Sequence, residues 1–237
     1  CRSAAIAAVV VTSAPPAARP RAVEAMNPNR IALVVAVFSG TAVLGPMVGV
    51  SPAWITVAVI SALVMVSVDA AAWNGRGGHL LAEALPGGQE RLRRIALHEA
   101  GHRLLANHEG LEPGDTLVGT LACLRAGHDA CGRTTLPLPA SSKLPLEELR
   151  RWSRVLLAGM AAEQVVHGAS DGGSDDRQLL GRIWGLSGQS AQTAQVEQRR
   201  ARREVEQWLE QHRPDLEQEC ESLLSQAPSL LRPGHGH

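Results

Sequence analysis

Apolar and polar positions divide the chain into two unlike parts. Residues 31–68 contain no charged residue, and a run of this length can form two membrane helices of about 20 residues each. Pro46 and Pro52 interrupt the run. Because proline removes a backbone donor and favours a turn, the pattern predicts two spans, residues 31–49 and 53–72, joined as a helical hairpin. A buried core hairpin of a soluble protein is the alternative.

Arginines flank this apolar run on both sides, whereas the turn between the two spans is uncharged. They are Arg19, Arg21 and Arg30 before the run, and Arg76, Arg91, Arg93 and Arg94 after it. Because positive loops stay on the cytoplasmic side, the pattern predicts a multi-pass protein of the cell membrane with its C-terminal part in the cytoplasm. If the first apolar run is instead an export signal, the C-terminal part lies outside.

The rest of the chain has helical periodicity, so the predicted fold class is mainly α. The predicted helices are 89–108, 146–167, 175–186 and segments up to 226 that Pro214 divides. Between residues 116 and 139, β-branched and apolar residues predict a small, irregular β region rather than a helix.

Composition shifts along the chain predict four regions. Residues 1–25, rich in Ala, Pro and Arg, are predicted to be a disordered or untranslated extension, because Met26 lies directly before the apolar run and is a plausible start of translation. The transmembrane hairpin occupies 26–74, a glycine-rich linker 75–90, and a mostly helical domain 91–237.

The balance of charge argues against a nucleic-acid partner. The chain has 23 basic and 23 acidic residues, one Phe and no Tyr. It therefore lacks both the positive field and the aromatic surface with which proteins bind nucleic acids.

The stretch "HEAGH" carries the candidate chemistry. His98 and His102 are one helical turn apart, so both imidazoles project from one face and can share a zinc ion. Zinc with three protein ligands keeps a position for water and lowers its pKa, and Glu99 can then accept the proton. Ala100 and Gly101 are expected to leave room for a substrate backbone. Alternatively, the two histidines are ordinary polar positions of an amphipathic helix.

Three segments in order resemble the peptidase domain of the FtsH family of membrane-anchored zinc metalloproteases. "RRIALHEAGHRLL" is similar to its zinc helix, "AGMAAEQVVHG" (158–168) to its Gly-Gly-Arg-x-Ala-Glu segment, and "GGSDDRQ" (172–178) to its Gly-Ala-Ser-x-Asp turn. The resemblance implies a Zn²⁺ cofactor with Asp176 as the third ligand, or Asp175 if the alignment slips by one residue. Ser174 is expected to cap the helix that carries this carboxylate.

Glu163 is the remaining carboxylate of these segments. A histidine ligand usually donates its second ring N–H to an acceptor, and we expect Glu163 to have this supporting role. The alternatives are direct ligation of the metal in place of Asp176 and a solvent-facing charge.

The chief departure from the FtsH family is that no ATPase module separates the membrane segment from the peptidase: Arg91 follows Trp73 closely. The resemblance implies a membrane-anchored zinc metalloendopeptidase that hydrolyses unfolded or loosely folded proteins, with membrane lipid around its anchor and a separate ATPase or further copies of itself as partners. A catalytically silent membrane adaptor of a partner protease is the alternative. An intramembrane protease is disfavoured, because arginines directly before the motif are costly in lipid.

Overall fold

The computed structural model describes residues 39–40, 45–46, 49–73, 75–128, 130–137, 141 and 143–228. The predicted extension 1–25 and most of the predicted first span, 31–49, therefore lie outside the described residues. The chain divides into two compact units, Cys1–Met65 and Val66–His237. The described part is mainly helical with one small sheet, as predicted.

Helix α1, Pro52–Trp73, corresponds to the predicted second span. Its residues Pro52–Ala72 are long and apolar enough to cross a membrane, which is true of no other helix in the described ranges. Only 6% of the most apolar 18-residue stretch of this helix is buried. This exposure is unlike that of a core helix, so the alternative of a buried apolar segment does not fit α1.

The predicted linker 75–90 contains a second helix, α2, Arg76–Ala84, and the first residues of a third. The sequence disfavours helix here, because glycine is costly in helices. Asp69 compensates at the N-terminus of α2: its Oδ1 accepts a hydrogen bond from Gly77 N at 2.7 Å and its Oδ2 one from Gly78 N at 2.9 Å. A carboxylate at this end also interacts favourably with the helix dipole.

Two long helices cross at the centre of the second unit. They are α3, Gly88–His108, and α5, Leu146–His167, and both match their predicted ranges closely. Gly101 lies at the crossing, where an added Cβ would be 2.6 Å from the carbonyl oxygen of Ala158. Ala100 is fully buried as well. The expectation that Ala100 and Gly101 make room for substrate was therefore wrong: the room is taken by α5.

The predicted β region is smaller than expected and includes a helix. Strands β1, Thr116–Val118, and β2, Gly132–Thr134, pair antiparallel. The helix α4, Thr120–Arg125, lies between them, where an irregular strand region was predicted. Glu83 of α2 favours its start, since Glu83 Oε1 accepts hydrogen bonds from Thr120 N at 2.8 Å and Thr120 Oγ1 at 2.5 Å.

Three further helices complete the described fold: α6, Ser174–Leu186; α7, Ala191–Gln211; and α8, Arg213–Gln226. The helices α3, α5, α7 and α8 share one apolar core. The helices α5 and α6 share a second, which contains Trp184 and Ala201 of α7. The capping prediction for Ser174 was wrong. Gly173, with φ 82°, is the N-cap residue of α6, Ser174 is the first residue of the helix, and no side chain caps its N-terminus.

Candidate metal centre

Helices α3 and α6 bring two histidines and one carboxylate together. His98 Nε2 lies 3.1 Å from His102 Nε2 and 3.1 Å from Asp176 Oδ2, and His102 Nε2 lies 3.4 Å from the same oxygen. Among the described residues, these three form the one group of histidine, cysteine and acidic side chains spaced to hold a metal ion. The three residues proposed as zinc ligands from the sequence are thus adjacent in the structure.

The size of this triangle fits zinc. Protein nitrogen and oxygen ligands lie about 2.0–2.2 Å from zinc, and a tetrahedral arrangement at that radius separates neighbouring ligand atoms by about 3.3–3.6 Å. The observed separations of 3.1–3.4 Å are close to this value. Three ligands of this kind would leave the fourth tetrahedral position of a zinc ion for water.

Hydrogen bonds on the far side of each ring orient the two imidazoles. His98 Nδ1 lies 2.6 Å from Glu163 Oε1, and His102 Nδ1 lies 2.8 Å from the carbonyl oxygen of Val155. A carbonyl oxygen only accepts, so His102 Nδ1 carries the proton and its Nε2 lone pair points at Asp176. Glu163 has the same effect on His98.

Two nitrogen lone pairs and a carboxylate that converge in this way repel one another unless a proton or a cation lies among them. The raised pKa of His98 follows from this repulsion. Burial opposes the charged imidazole, but the carboxylates of Asp176 and Glu163 outweigh burial and raise its pKa to about 10. Burial likewise disfavours a charged Asp176, yet His102 and His98 hold its pKa well below the usual range. The arrangement of these side chains therefore stabilises a positive charge, either a proton or a metal cation, between them.

Glu163 is itself fixed from two sides. Its side chain is 2% exposed, and while Oε1 accepts from His98, Oε2 accepts a hydrogen bond from Asp171 N at 2.8 Å. Burial raises the pKa of Glu163, but the hydrogen bonds from His98 and Asp171 more than compensate and lower it. Glu163 approaches Nδ1 of His98, whereas Asp176 approaches Nε2 of the same ring.

Glu99 lies beside the cluster, held by β2. Thr134 Oγ1 donates a hydrogen bond to Glu99 Oε2 at 2.7 Å. The glutamate is buried, and burial raises its pKa although the nearby histidines and Thr134 act in the opposite direction. An elevated carboxyl pKa brings a group closer to the range in which general bases work.

Sequence reasoning identified the charged residues and missed the neighbours that shape their site. An added Cβ at Gly159 of α5 would be 2.6 Å from His102 Nε2 and nearer still to His98 Nε2, so only glycine leaves room for both rings. At Gly132, an added Cβ would be 2.6 Å from Glu99 Oε1. A glycine inside an otherwise good helix is the signal that could have drawn attention to Gly159.

The two neighbouring aspartates of α6 are clearly distinguished by the structure. Asp176 faces the histidines, whereas Asp175 is exposed and accepts a hydrogen bond from Ser174 Oγ at 3.3 Å. Adjacent helical residues point about 100° apart, so only one of them can reach the cluster. The alternative assignment of Asp175 therefore receives no support from the geometry.

The fold and its donors define a mainly helical domain with a buried histidine and carboxylate cluster suited to a divalent metal. Part of the chain is also similar to a known enzyme: it is 36% identical over 89 residues to the ATP-dependent zinc metalloprotease FtsH 2 of Symbiobacterium thermophilum. The match covers 37% of this chain and 14% of that protein. No profile of a known protein family matches the chain.

Proposed function

We propose that the protein is a membrane-anchored zinc metalloendopeptidase that hydrolyses unfolded or loosely folded polypeptides. The convergence of His98 Nε2, His102 Nε2 and Asp176 Oδ2, with Glu99 alongside, carries the proposal. The partial similarity to a zinc metalloprotease supports the same metal and the same class of reaction.

In this proposal His98, His102 and Asp176 hold the zinc ion, and Glu163 and the Val155 carbonyl keep both rings aimed at it. A zinc ion held there would supply a Lewis acid that lowers the pKa of water and polarises the scissile carbonyl. Burial and fixed hydrogen bonds keep the ligand atoms in place without substrate. Little reorganisation is then needed when a peptide binds.

Glu99 is the proposed general base. It accepts a proton from the attacking water and returns it to the leaving amine nitrogen, while the water oxygen bonds to the carbonyl carbon and the C–N bond breaks. Thr134 anchors Glu99 Oε2. Gly132 packs closely against Glu99 Oε1, where an added Cβ would be 2.6 Å away, so its lack of a side chain lets β2 approach the proposed base.

Strand β2 is the proposed substrate-binding edge. It pairs with β1 along one edge, and within the described residues no strand pairs with the other. Because β2 carries Thr134 and Gly132 against Glu99, an extended peptide added to its free edge would pass the general base. This mode selects extended chains, which is why we propose unfolded segments as substrates.

The proposed location is the cell membrane, with α1 as one span of a multi-pass anchor and the catalytic domain in the cytoplasm. The length, composition and exposure of α1 support a membrane anchor. Within the proposal, residues 91–237 form the peptidase domain. Within the proposal a separate ATPase delivers the unfolded or loosely folded substrates, because the described domain contains no phosphate-binding loop motif, and further copies of the chain are the other proposed partners.

Zinc analysis combined with hydrolysis of an unfolded protein substrate tests the proposal. Glu99→Gln should retain zinc and lose hydrolysis, because the amide cannot accept a proton, whereas Glu90→Gln at the exposed start of the same helix should retain both. Hydrolysis that survives in Glu99→Gln would contradict the proposed mechanism. A wild-type protein that holds zinc but cleaves no substrate would instead favour the catalytically silent adaptor.

A further inference from the structure

Helix α2 has an exposed apolar face that the peptidase proposal does not use. Leu81 is 61% exposed, and Leu85, directly after the helix, is 54% exposed. Gly78 is exposed one turn before Leu81. Residues three and four apart lie on the same side of a helix, so these three positions form one face, here called the outer face of α2.

The opposite face of α2 is attached to the catalytic domain. Glu83 accepts two hydrogen bonds from Thr120 at the start of α4, and His79 Nδ1 accepts one from Arg91 Nη2 at 2.5 Å. These contacts fix the rotation of α2 about its own axis. The outer face is therefore held away from the domain core and cannot be buried by a local rearrangement.

The other end of α2 is attached to the last turns of α1. Asp69 bonds to the N–H groups of Gly77 and Gly78, and its own carbonyl accepts from Gly75 N at 3.1 Å. An added Cβ at Gly77 would be 2.7 Å from Asp69 Oδ1, so this corner depends on glycine. The junction is a specific structure, and the outer face begins at Gly78, five residues after the last residue of α1.

We propose that the outer face of α2 lies in the headgroup region of the lipid bilayer that α1 enters. A short helix that leaves the end of a membrane span through a fixed corner stays at the level of the membrane surface, where exposed leucines insert at the boundary of the acyl chains. The bilayer is favoured over a protein partner because Asp69, in the last turns of α1, bonds directly to the first turn of α2, which begins three residues after α1 ends. The inference rests on the membrane anchor proposed above and is independent of the zinc chemistry.

The test uses the full chain in phospholipid vesicles with an environment-sensitive fluorophore on single cysteines. Cys1 and Cys131 are replaced by serine, while Cys123 and Cys220 are buried and stay unlabelled. Leu81→Cys reports on the outer face and Val64→Cys on α1. Leu186→Cys, at the end of α6 and also 61% exposed, is the matched control. Unchanged thermal unfolding verifies that each labelled protein is folded.

The proposal expects blue-shifted emission at position 81 that is quenched by nitroxide lipids with a shallow spin label, and neither effect at position 186. Emission at position 81 like that of the Leu186→Cys control would overturn it. A blue shift without lipid quenching would also overturn it, since it would place a protein surface on this face. If nitroxide lipids with a deep spin label do not quench the Val64→Cys label near the middle of α1, the membrane anchor itself fails, and that result is distinct from failure at position 81 alone.

Discussion

Gly159→Ala tests the geometry of the candidate metal centre with a single methyl group. The added Cβ would be 2.6 Å from His102 Nε2, whereas ordinary van der Waals contact begins at 3.4 Å. The ring must therefore move by about 0.8 Å, and zinc ligand distances tolerate only about 0.2 Å. His98 is displaced as well, because its Nε2 is nearer still to the new methyl group.

We expect the substitution to weaken zinc binding strongly and to reduce hydrolysis by about 100-fold or more, since a displacement of about 1 Å at a catalytic centre has that effect. Stability should fall by about 1–3 kcal/mol from overpacking, offset in part by about 0.5–1 kcal/mol from replacing glycine in a helix. Gly181→Ala is the matched control: it lies in α6 with open space around it and should be slightly stabilising with normal zinc binding.

The assay is a zinc titration against a chromophoric chelator, with chemical unfolding of the metal-free proteins and hydrolysis of an unfolded substrate. Gly159→Ala should separate from Gly181→Ala in zinc affinity and rate. If both variants bind zinc and hydrolyse substrate like the wild type, His98 and His102 do not act together at this position, and the reasoning is refuted.

Three further predictions concern the neighbours of the cluster. Glu163→Gln should weaken zinc binding about 10–100-fold, because His98 loses its charged hydrogen-bond acceptor. Glu147→Gln, on the exposed first turn of the same helix, should leave zinc binding unchanged. Equal zinc affinities of the two variants in a competition titration would contradict this prediction. Nearby carboxylates raise the pKa of His98 to about 10, so zinc must displace a proton from this ring. Zinc affinity should therefore rise about tenfold per pH unit between about pH 7 and pH 9 and fall on acidification. A zinc affinity that does not change with pH would refute competition between zinc and the proton. Thr134→Val removes a hydrogen bond that lowers the pKa of Glu99, so the acidic limb of the pH–rate profile should move to higher pH with unchanged zinc content. An unmoved limb would show that Thr134 does not lower the pKa of the base.

Periodic segments of the fold could be predicted from sequence, and segments stabilised by distant residues could not. Helices α3 and α5 carry long apolar patterns, and their predicted bounds agree with the structure to within a residue. Helix α2 was missed because its glycines disfavour helix, and the carboxylate of Asp69 that stabilises it comes from another element. Helix α4 was missed for the same kind of reason, since Glu83 supports its start.

The candidate site divides in a similar way. The i, i+4 spacing was enough to place His98 and His102 on one face, but the choice between Asp175 and Asp176 depends on where α6 begins. The sequence predicted that α6 begins one residue later, at Asp175 with Ser174 as its cap, and Asp176 was selected through the resemblance. The carbonyl of Val155 has no side-chain signal at all, because any residue supplies a carbonyl.

The most direct test of the central claim is the zinc content of purified wild-type protein beside Asp176→Ala and Asp175→Ala. We predict one zinc per chain in the wild type and in Asp175→Ala, and none in Asp176→Ala, because only Asp176 reaches the two histidines. Wild-type protein without zinc, or Asp176→Ala with a full complement of it, would contradict the account.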